Sequence, residues 1–118
     1  MDMSAFLEAA TTTEEVRVVV RNGDERRTPI WIVAVGPSVF IRSYRAEQGK
    51  WYQHVKATRT FPLEIAGEDV VVTANPETAS AVLDEVSSAY LAKYADAPET
   101  PDMVTPAVVA TTLRIVPS

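Results

Sequence analysis

Residues 28–35 read Thr-Pro-Ile-Trp-Ile-Val-Ala-Val, and this almost continuous apolar run decides the fold. A short run without polar alternation is typical of a central strand that is buried on both faces. Pro29 stands at the entrance of the run, where a strand loses no ladder hydrogen bond. The run therefore predicts a β-protein organised around a strand over residues 28–35, with Trp31 as core packing.

The segments on either side of this run also have strand patterns. Residues 15–21 alternate between two faces, and Asn22-Gly23 is a turn signal from which a loop is expected to continue through Arg27. Gly36-Pro37 turns the chain into a further alternating segment over residues 39–45. These three segments predict an antiparallel meander.

The strand pattern stops after residue 45 and resumes at residue 60. Residues 50–55 are expected to form one or two helical turns, and residues 60–66 and 70–73 are predicted as two further strands. Pro62 cannot donate to a ladder, so the first of these two strands is predicted to lie at a sheet edge.

A long helix is predicted near the end of the chain. Asn75 as N-cap, Pro76 at the first helical position and Glu77 in the first turn form a strong start signal. The chain is interpreted as one mainly β (α+β) domain over residues 1–118, an antiparallel barrel of six strands with a short N-terminal helix and one long helix before the last strand. The predicted segments are an N-terminal helix over 1–13, five strands within 14–75, the helix over 76–95, an extended proline-rich connector over 96–106 and a closing strand over 107–117.

Composition excludes several classes of protein. Of the 118 residues, 47% are hydrophobic and 23% are charged, which is usual for a globular domain and excludes a disordered chain. Because there is no cysteine, thiol catalysis, thiolate metal sites and disulfides are excluded. No apolar run approaches the ~20 residues of a membrane span, and no leader pattern precedes the first helix, so we expect a cytoplasmic protein without a membrane partner.

The charge is unevenly distributed along the chain. The net charge of −5 argues against a nucleic-acid partner, yet residues 17–59 sum to +6, whereas residues 60–118 sum to −7 and residues 1–16 to −4. A basic block inside an acidic protein favours a local site for an anionic small molecule. The alternative is that these arginines simply occupy the solvent face of the strands.

Four stretches carry a resemblance to a known family. They are Arg27–Val33, Val39–Arg45, Lys50–Val55 and Thr111–Pro117, and they resemble the bacterial domain-of-unknown-function family 2255. The order of features is also similar to the deazaflavin-dependent nitroreductase branch of the FMN-binding split β-barrel superfamily. The resemblance implies a split barrel that holds a flavin or deazaflavin, and a homodimer.

The resemblance also implies which residues meet the cofactor, FMN or a deazaflavin coenzyme. Those near its phosphate, ring or tail are Arg26, Arg27, Thr28, Pro29, Ser43, Arg45, Lys50 and Trp51. Arginine suits phosphate because its planar fork donates two parallel hydrogen bonds, and tryptophan can stack on a planar ring.

Other polar side chains are candidates for chemistry. Tyr44 and Tyr52 are the expected proton donors, Arg42 and His54 could contact substrate, and we expect Trp51 to pack inward while Tyr52 presents its hydroxyl to ligand. With one histidine and no cysteine, no metal site is predicted. Three functions stay open: a flavin- or deazaflavin-dependent oxidoreductase, a cofactor-independent isomerase or cyclase, and a ligand-binding protein without catalysis.

Overall fold

The computed structural model describes residues 1–118 as a closed barrel of six strands with four α-helices. The strands are β1 (Glu15–Asn22), β2 (Asp24–Val35), β3 (Ser38–Ile41), β4 (Thr60–Ile65), β5 (Glu68–Pro76) and β6 (Leu113–Pro117). The helices are α1 (Met3–Thr12), α2 (Lys50–Thr58), α3 (Ser80–Lys93) and α4 (Pro106–Val109), with short 3₁₀ segments at Ala46–Gln48 and Thr100–Val104. No helix is both long enough and apolar enough to cross a bilayer.

The strands close into a barrel in the order β1-β2-β3-β6-β5-β4, and every neighbouring pair is antiparallel. The prediction of a six-stranded antiparallel barrel is confirmed. The prediction that Pro62 marks a sheet edge is wrong, because β4 pairs with both β5 and β1. The β1–β4 ladder nevertheless ends at Val18↔Leu63, one position before Pro62, which has no N–H to continue it.

Two apolar clusters hold the fold together. The larger cluster fills the barrel, and Phe6 from α1 and Trp51 from α2 close it. The smaller cluster lies outside the barrel, where Val33 and Phe40 pack against Tyr90 and the rest of the inner face of α3. β3 and the part of β2 at Ile32 and Val33 are therefore buried on both faces, as the apolar run in β2 predicted, whereas residues 24–29 of β2 are exposed or only partly buried.

β2 begins four residues earlier than the sequence predicted. Gly23 adopts a φ of 81°, which allows a tight turn, and the strand starts at once with Asp24. Arg26 and Arg27 therefore lie in a strand and not in a loop. β3 ends earlier than predicted, at Ile41, so residues 42–45 leave the sheet.

α3 begins later than the capping pattern predicted. Asn75 and Pro76 still pair with β6, and the helix starts at Ser80 without a side-chain cap. Pro76 is tolerated because only alternate residues of β5 donate a backbone N–H to β6. At this end of the ladder the donor is Glu77, whose N–H bonds to Thr112 O at 3.0 Å. Strand pairing has overridden a local helix signal.

The connector and the last strand also differ from the prediction. Residues 96–106 contain the 3₁₀ segment Thr100–Val104, and Pro106 opens the short helix α4, so the connector is not extended. β6 starts at Leu113 and not at residue 107. It lies between β3 and β5, where it completes the barrel as the closing strand.

Candidate functional site

A cavity of about 760 Å³, called the main cavity below, opens where β2 and the chain after β3 diverge. β3 pairs with β2 only as far as Ile32↔Ile41, so residues 24–31 of β2 have β1 as their only partner strand. Residues 42–45 form the opposite wall of the main cavity, and residues from α2 and from the segment around Thr100–Val104 border it. The divergence of the two chains thus creates the space.

The buried side chain of Arg42 holds this wall away from β2. Arg42 is 1% exposed, and burial lowers the pKa of its guanidinium. Four of its five N–H groups donate at 2.8–3.0 Å, and their acceptors are Thr112 Oγ1, Ser87 Oγ, Met103 O and Leu83 O. Ser43 is also held away from β2, because its backbone N–H donates to Thr111 Oγ1 at 2.9 Å.

The structure brings ten of the twelve predicted site residues to the main cavity. These ten are Arg26, Thr28, Pro29, Arg42, Ser43, Tyr44, Arg45, Lys50, Trp51 and His54. Arg27 and Tyr52 do not line it. Arg42 reaches the cavity with little hydrogen-bonding capacity left, so its contacts are those of a structural side chain.

Arg26 and Arg27 separate because neighbouring residues of a strand point to opposite faces. Arg26 faces the main cavity, whereas the guanidinium of Arg27 donates to Glu64 Oε1 at 2.7 Å, to both carboxylate oxygens of Asp69 at 2.8 and 2.9 Å and to Glu25 Oε2 at 2.9 Å. These bonds hold the pKa values of the Asp69 and Glu25 carboxyls below their usual range. These bonds hold the Arg27 guanidinium on the face of β2 opposite Arg26, so it does not reach the main cavity.

Unpaired positive charge is concentrated at the main cavity. Among the eleven basic side chains, four make neither an ion pair nor a side-chain hydrogen bond: Arg26, Arg45, Lys50 and Arg59. Three of these four line the main cavity, and Arg59 lies outside it. Two carboxylates, Asp24 and Glu99, also line it. The cavity wall therefore presents three cations that form no ion pair, beside two carboxylates.

Two of the predicted polar groups already have partners. Tyr44 is half exposed and its hydroxyl donates to Asp102 Oδ2 at 2.8 Å, a bond that raises the pKa of the phenol. The Ser43 hydroxyl donates to Ala46 O at 2.7 Å. Gly49 is required beside it, because a Cβ there would overlap Ser43 Oγ.

The aromatic pair on α2 divides between two sides of the helix. Trp51 is 7% exposed, belongs to the barrel core and lines the main cavity. Tyr52 packs edge-on against it with ring centroids 6.0 Å apart, but lines a separate groove of about 360 Å³ together with Arg59. Successive helical residues diverge by about 100°, which explains the separation.

Trp31 is one of the cavity residues that the sequence interpretation missed. It was expected to be core packing, yet it is only partly buried and lines the main cavity. Its indole ring stacks on Tyr94 with a centroid distance of 4.1 Å. The missed signal is the strand alternation, since Ile30 and Ile32 point into the barrel and Trp31 must point out of it.

No group of three or more histidine, cysteine, aspartate or glutamate side chains is arranged to hold a metal ion. Trp31 and Trp51 supply aromatic surface, and Arg26, Arg45 and Lys50 supply positive charge. This combination can bind a planar molecule that carries an anionic group.

Comparisons with known proteins agree with this architecture. A family model described as "Uncharacterized protein conserved in bacteria (DUF2255)" matches residues 6–115. Among solved structures, the chain is similar to one from Listeria innocua described as "Putative Pyridoxamine 5'-phosphate oxidase", with a TM-score of 0.68 and 10% identity over 98% of this chain and 93% of that chain. At this identity the likeness concerns the fold alone, and it supports the expected split barrel. No curated protein matches the chain.

Proposed function

We propose that this chain, which belongs to the DUF2255 family of bacterial proteins, binds a phosphate-bearing flavin or deazaflavin in the main cavity and acts as an oxidoreductase on a small organic substrate. One observation carries the proposal. Three of the four unpaired basic side chains, Arg26, Arg45 and Lys50, line a single cavity that also has aromatic walls.

The residues present fit such a cofactor in charge. Guanidinium groups bind phosphate through parallel hydrogen bonds, and an ammonium adds a mobile point charge. Arg26, Arg45 and Lys50 form no ion pair within the protein, so their charged groups are available to a phosphate, although Asp24 and Glu99 line the same cavity. Arg27 is excluded from this role by its bonds to Glu64 and Asp69.

The residues also fit in shape and size. Small-molecule cavities have volumes of roughly 300–1,000 Å³, and the main cavity has about 760 Å³. The indoles of Trp31 and Trp51 provide surfaces for a planar ring. The free edge of β2 borders the same space and gives the ring a rigid support.

The bound cofactor would supply hydride transfer, and the protein would supply binding, orientation and protons. The Tyr44 hydroxyl is the proton-holding group that we assign to the cavity. Because the hydrogen bond to Asp102 raises its pKa, the phenol keeps its proton at neutral pH. His54 also lines the cavity and could contact substrate.

The decisive experiment is a titration of the protein with FMN, riboflavin and a deazaflavin coenzyme, followed by absorbance and fluorescence. We expect FMN or the deazaflavin to bind, and FMN to bind more tightly than riboflavin, which lacks the phosphate. Arg26→Ala and Lys50→Ala should each weaken binding of the phosphate-bearing cofactor by about 10- to 100-fold, since hydrogen bonds to charged groups are strong.

Arg59→Ala is the matched control, because it removes an unpaired cation that lies outside the main cavity. It changes the net charge as Arg26→Ala does and should leave cofactor affinity unchanged. If neither cofactor binds, the proposed oxidoreductase is wrong, and the cavity would then serve a cofactor-independent enzyme or a ligand-binding protein. If Arg59→Ala weakens binding as much as Arg26→Ala, the phosphate site is wrong.

A homodimer and a cytoplasmic location are part of this proposal. The contrast between a basic block over residues 17–59 and an acidic block over residues 60–118 favours association of two copies. Sedimentation at micromolar concentration should give about twice the chain mass of 12.9 kDa, and a monomer would contradict the assembly. Cell fractionation tests the location.

A further inference from the structure

We propose that the groove lined by Tyr52 and Arg59 is a second ligand site, separate from the main cavity, and that it binds a small apolar monocarboxylate. This groove, called the second groove below, has a volume of about 360 Å³. It lies on the opposite side of α2 from the main cavity, and the two spaces share no lining residue. The second site is therefore independent of the cofactor that we propose for the main cavity.

Most of the lining of the second groove is apolar. It comes from α2, β5, β6 and the end of α4, and consists of Val55, Ala74, Pro76, Ala110 and Leu113. Val55, Ala74 and Leu113 also belong to the barrel core, which holds this lining in place. Small-molecule sites have volumes of roughly 300–1,000 Å³ and mostly apolar walls with a few polar groups. The second groove is at the lower limit of this range, so it suits a compound of one or two rings.

Arg59 is the unpaired cation of the second groove. Its side chain is exposed and makes neither an ion pair nor a hydrogen bond within the protein. Lys56 is less available, because its ammonium lies 3.9 Å from the carboxylate of Glu47. One free guanidinium favours a monoanion over a dianionic phosphate, and its planar fork can donate two parallel hydrogen bonds to a carboxylate.

The backbone holds Arg59 in a conformation that arginine rarely adopts. Its φ is 63°, in the left-handed region where glycine usually ends a helix. Two backbone hydrogen bonds of 2.7 Å fix this conformation, since the Arg59 N–H donates to Val55 O and the Ala74 N–H donates to Arg59 O. Glycine would fit this position without strain, so what arginine adds here is its charged side chain.

Tyr52 brings a second polar group to the same groove. Its side chain is only 6% exposed, yet its hydroxyl forms no hydrogen bond with the protein. A buried hydroxyl without a partner is unfavourable, and a ligand oxygen in the groove could accept its proton. Burial raises the pKa of the phenol and the carboxylate of Glu47 adds to this effect, so the hydroxyl remains a donor at neutral pH. A carboxylate can accept from both Tyr52 and Arg59.

Two-dimensional amide NMR of the full chain tests the site. The amides of Lys56, Arg59 and Ala74 report on the second groove, and those of Arg26 and Arg45 report on the main cavity. The probes are 2-naphthoate, its neutral isostere 2-naphthamide, and acetate, which lacks the rings. We expect 2-naphthoate to shift the amides of the second groove saturably, and the other two probes to bind there at least about tenfold more weakly. Because each set of amides is fitted separately, binding of 2-naphthoate in the main cavity does not affect this comparison.

Variants at Arg59 separate binding from stability. Arg59→Gly removes the cation and relieves the backbone, so it should weaken 2-naphthoate binding at the second groove by about tenfold and leave the melting temperature unchanged or higher. Arg59→Asn, which also tolerates a positive φ, should cause the same loss of affinity. Tyr52→Phe should weaken binding by about five- to tenfold without lowering the melting temperature. Arg26→Ala is the matched control, because it removes an unpaired cation outside the second groove.

Four results would overturn the site. They are amides of the second groove that do not respond to 2-naphthoate at millimolar concentration, equal affinity for 2-naphthamide, unchanged affinity in Arg59→Gly, and an equal loss of affinity in Arg26→Ala. The FMN titration is decided separately, since neither Tyr52 nor Arg59 lines the main cavity. If the cofactor fails to bind and 2-naphthoate behaves as expected, the proposed oxidoreductase is wrong and the carboxylate site stands. The reverse pattern would remove the carboxylate site alone.

Discussion

The indole of Trp31 and the phenol of Tyr94 lie parallel, with ring centroids 4.1 Å apart and an angle of 4° between their planes. This pair joins the cavity wall to α3. Behind it, the Tyr94 hydroxyl sits between Ile32 and Glu14, at the position where the β1–β2 ladder would next pair two residues. One side chain thus extends the sheet and also supports the cavity.

Tyr94→Phe should destabilise the protein by about 2 kcal/mol, because it leaves the buried N–H of Ile32 and the carbonyl of Glu14 without their partner. Burial raises the pKa of Tyr94 to about 12, so its hydroxyl remains a donor through neutral pH. Urea unfolding of the variant measures the loss.

Tyr90→Phe is the matched comparison, one helical turn earlier on α3. The Tyr90 hydroxyl is buried without a hydrogen-bond partner, so its removal should leave the free energy of unfolding unchanged or raise it. Equal destabilisation by Tyr90→Phe and Tyr94→Phe would show that the hydroxyl bridge contributes nothing specific.

Arg27→Ala should lower stability and leave cofactor affinity unchanged. Arg26→Ala should lower cofactor affinity and leave stability unchanged. Arg27 is the common partner of Glu25, Glu64 and Asp69, and without it the repulsion among these three carboxylates is offset only by Arg17 and Arg21. Added salt screens this repulsion, so the gap in melting temperature between Arg27→Ala and wild type should narrow at high salt. A gap that is unaffected by salt would contradict the electrostatic origin.

Stability should fall in acid as Glu77 becomes protonated. Arg114 at 2.7 Å, together with the N–H groups of Ala79 and Thr78, lowers the pKa of Glu77 from its ordinary value of 4.5. Because the folded pKa is the lower one, the stabilisation is complete above pH 4.5 and is lost as pH falls through the folded pKa. Asp69 and Glu25 add to the same trend.

Melting temperatures between pH 7 and pH 2.5 test this prediction. Glu77→Gln should be less stable than wild type at pH 7, and the difference should shrink as pH falls from 4.5 through the lowered folded pKa of Glu77, below which both side chains are uncharged. A difference that stays constant over the whole range would show that the charge of Glu77 is not what stabilises the fold.

Trp51→Ala should cost about 3–5 kcal/mol, the usual loss when a buried large aromatic is deleted from a core. Tyr52→Phe should preserve both stability and cofactor affinity, because the Tyr52 hydroxyl makes no hydrogen bond and its ring lines the second groove. Thermal melts and FMN titrations check the pair. A loss of FMN affinity in Tyr52→Phe would show that the Tyr52 hydroxyl contributes to cofactor binding.

Much of the candidate site could be predicted because its residues cluster in sequence. Residues 26–31 and 42–54 contain most of the cavity wall, and the resemblance pointed to the same stretches. Glu99 and Met103 could not be found in this way, because a connector brings them in from a distant part of the chain. Arg27 was assigned to the phosphate through the resemblance, and its actual partners Glu64 and Asp69 are 37 and 42 residues away, so the neighbouring sequence does not reveal them.

The sequence by itself determined the barrel and its strand order along the chain, because the apolar run in β2 and the alternation in its neighbours depend on local spacing. Only the tertiary structure decided the roles of adjacent residues such as Arg26 and Arg27, or Trp51 and Tyr52. Which face of a strand or helix meets the cavity depends on what packs against the other face. The same holds for Asn75 and Pro76, whose helix-start signal yields to pairing with β6. Local pattern sets periodicity, but long-range contacts set which side of each element becomes the site.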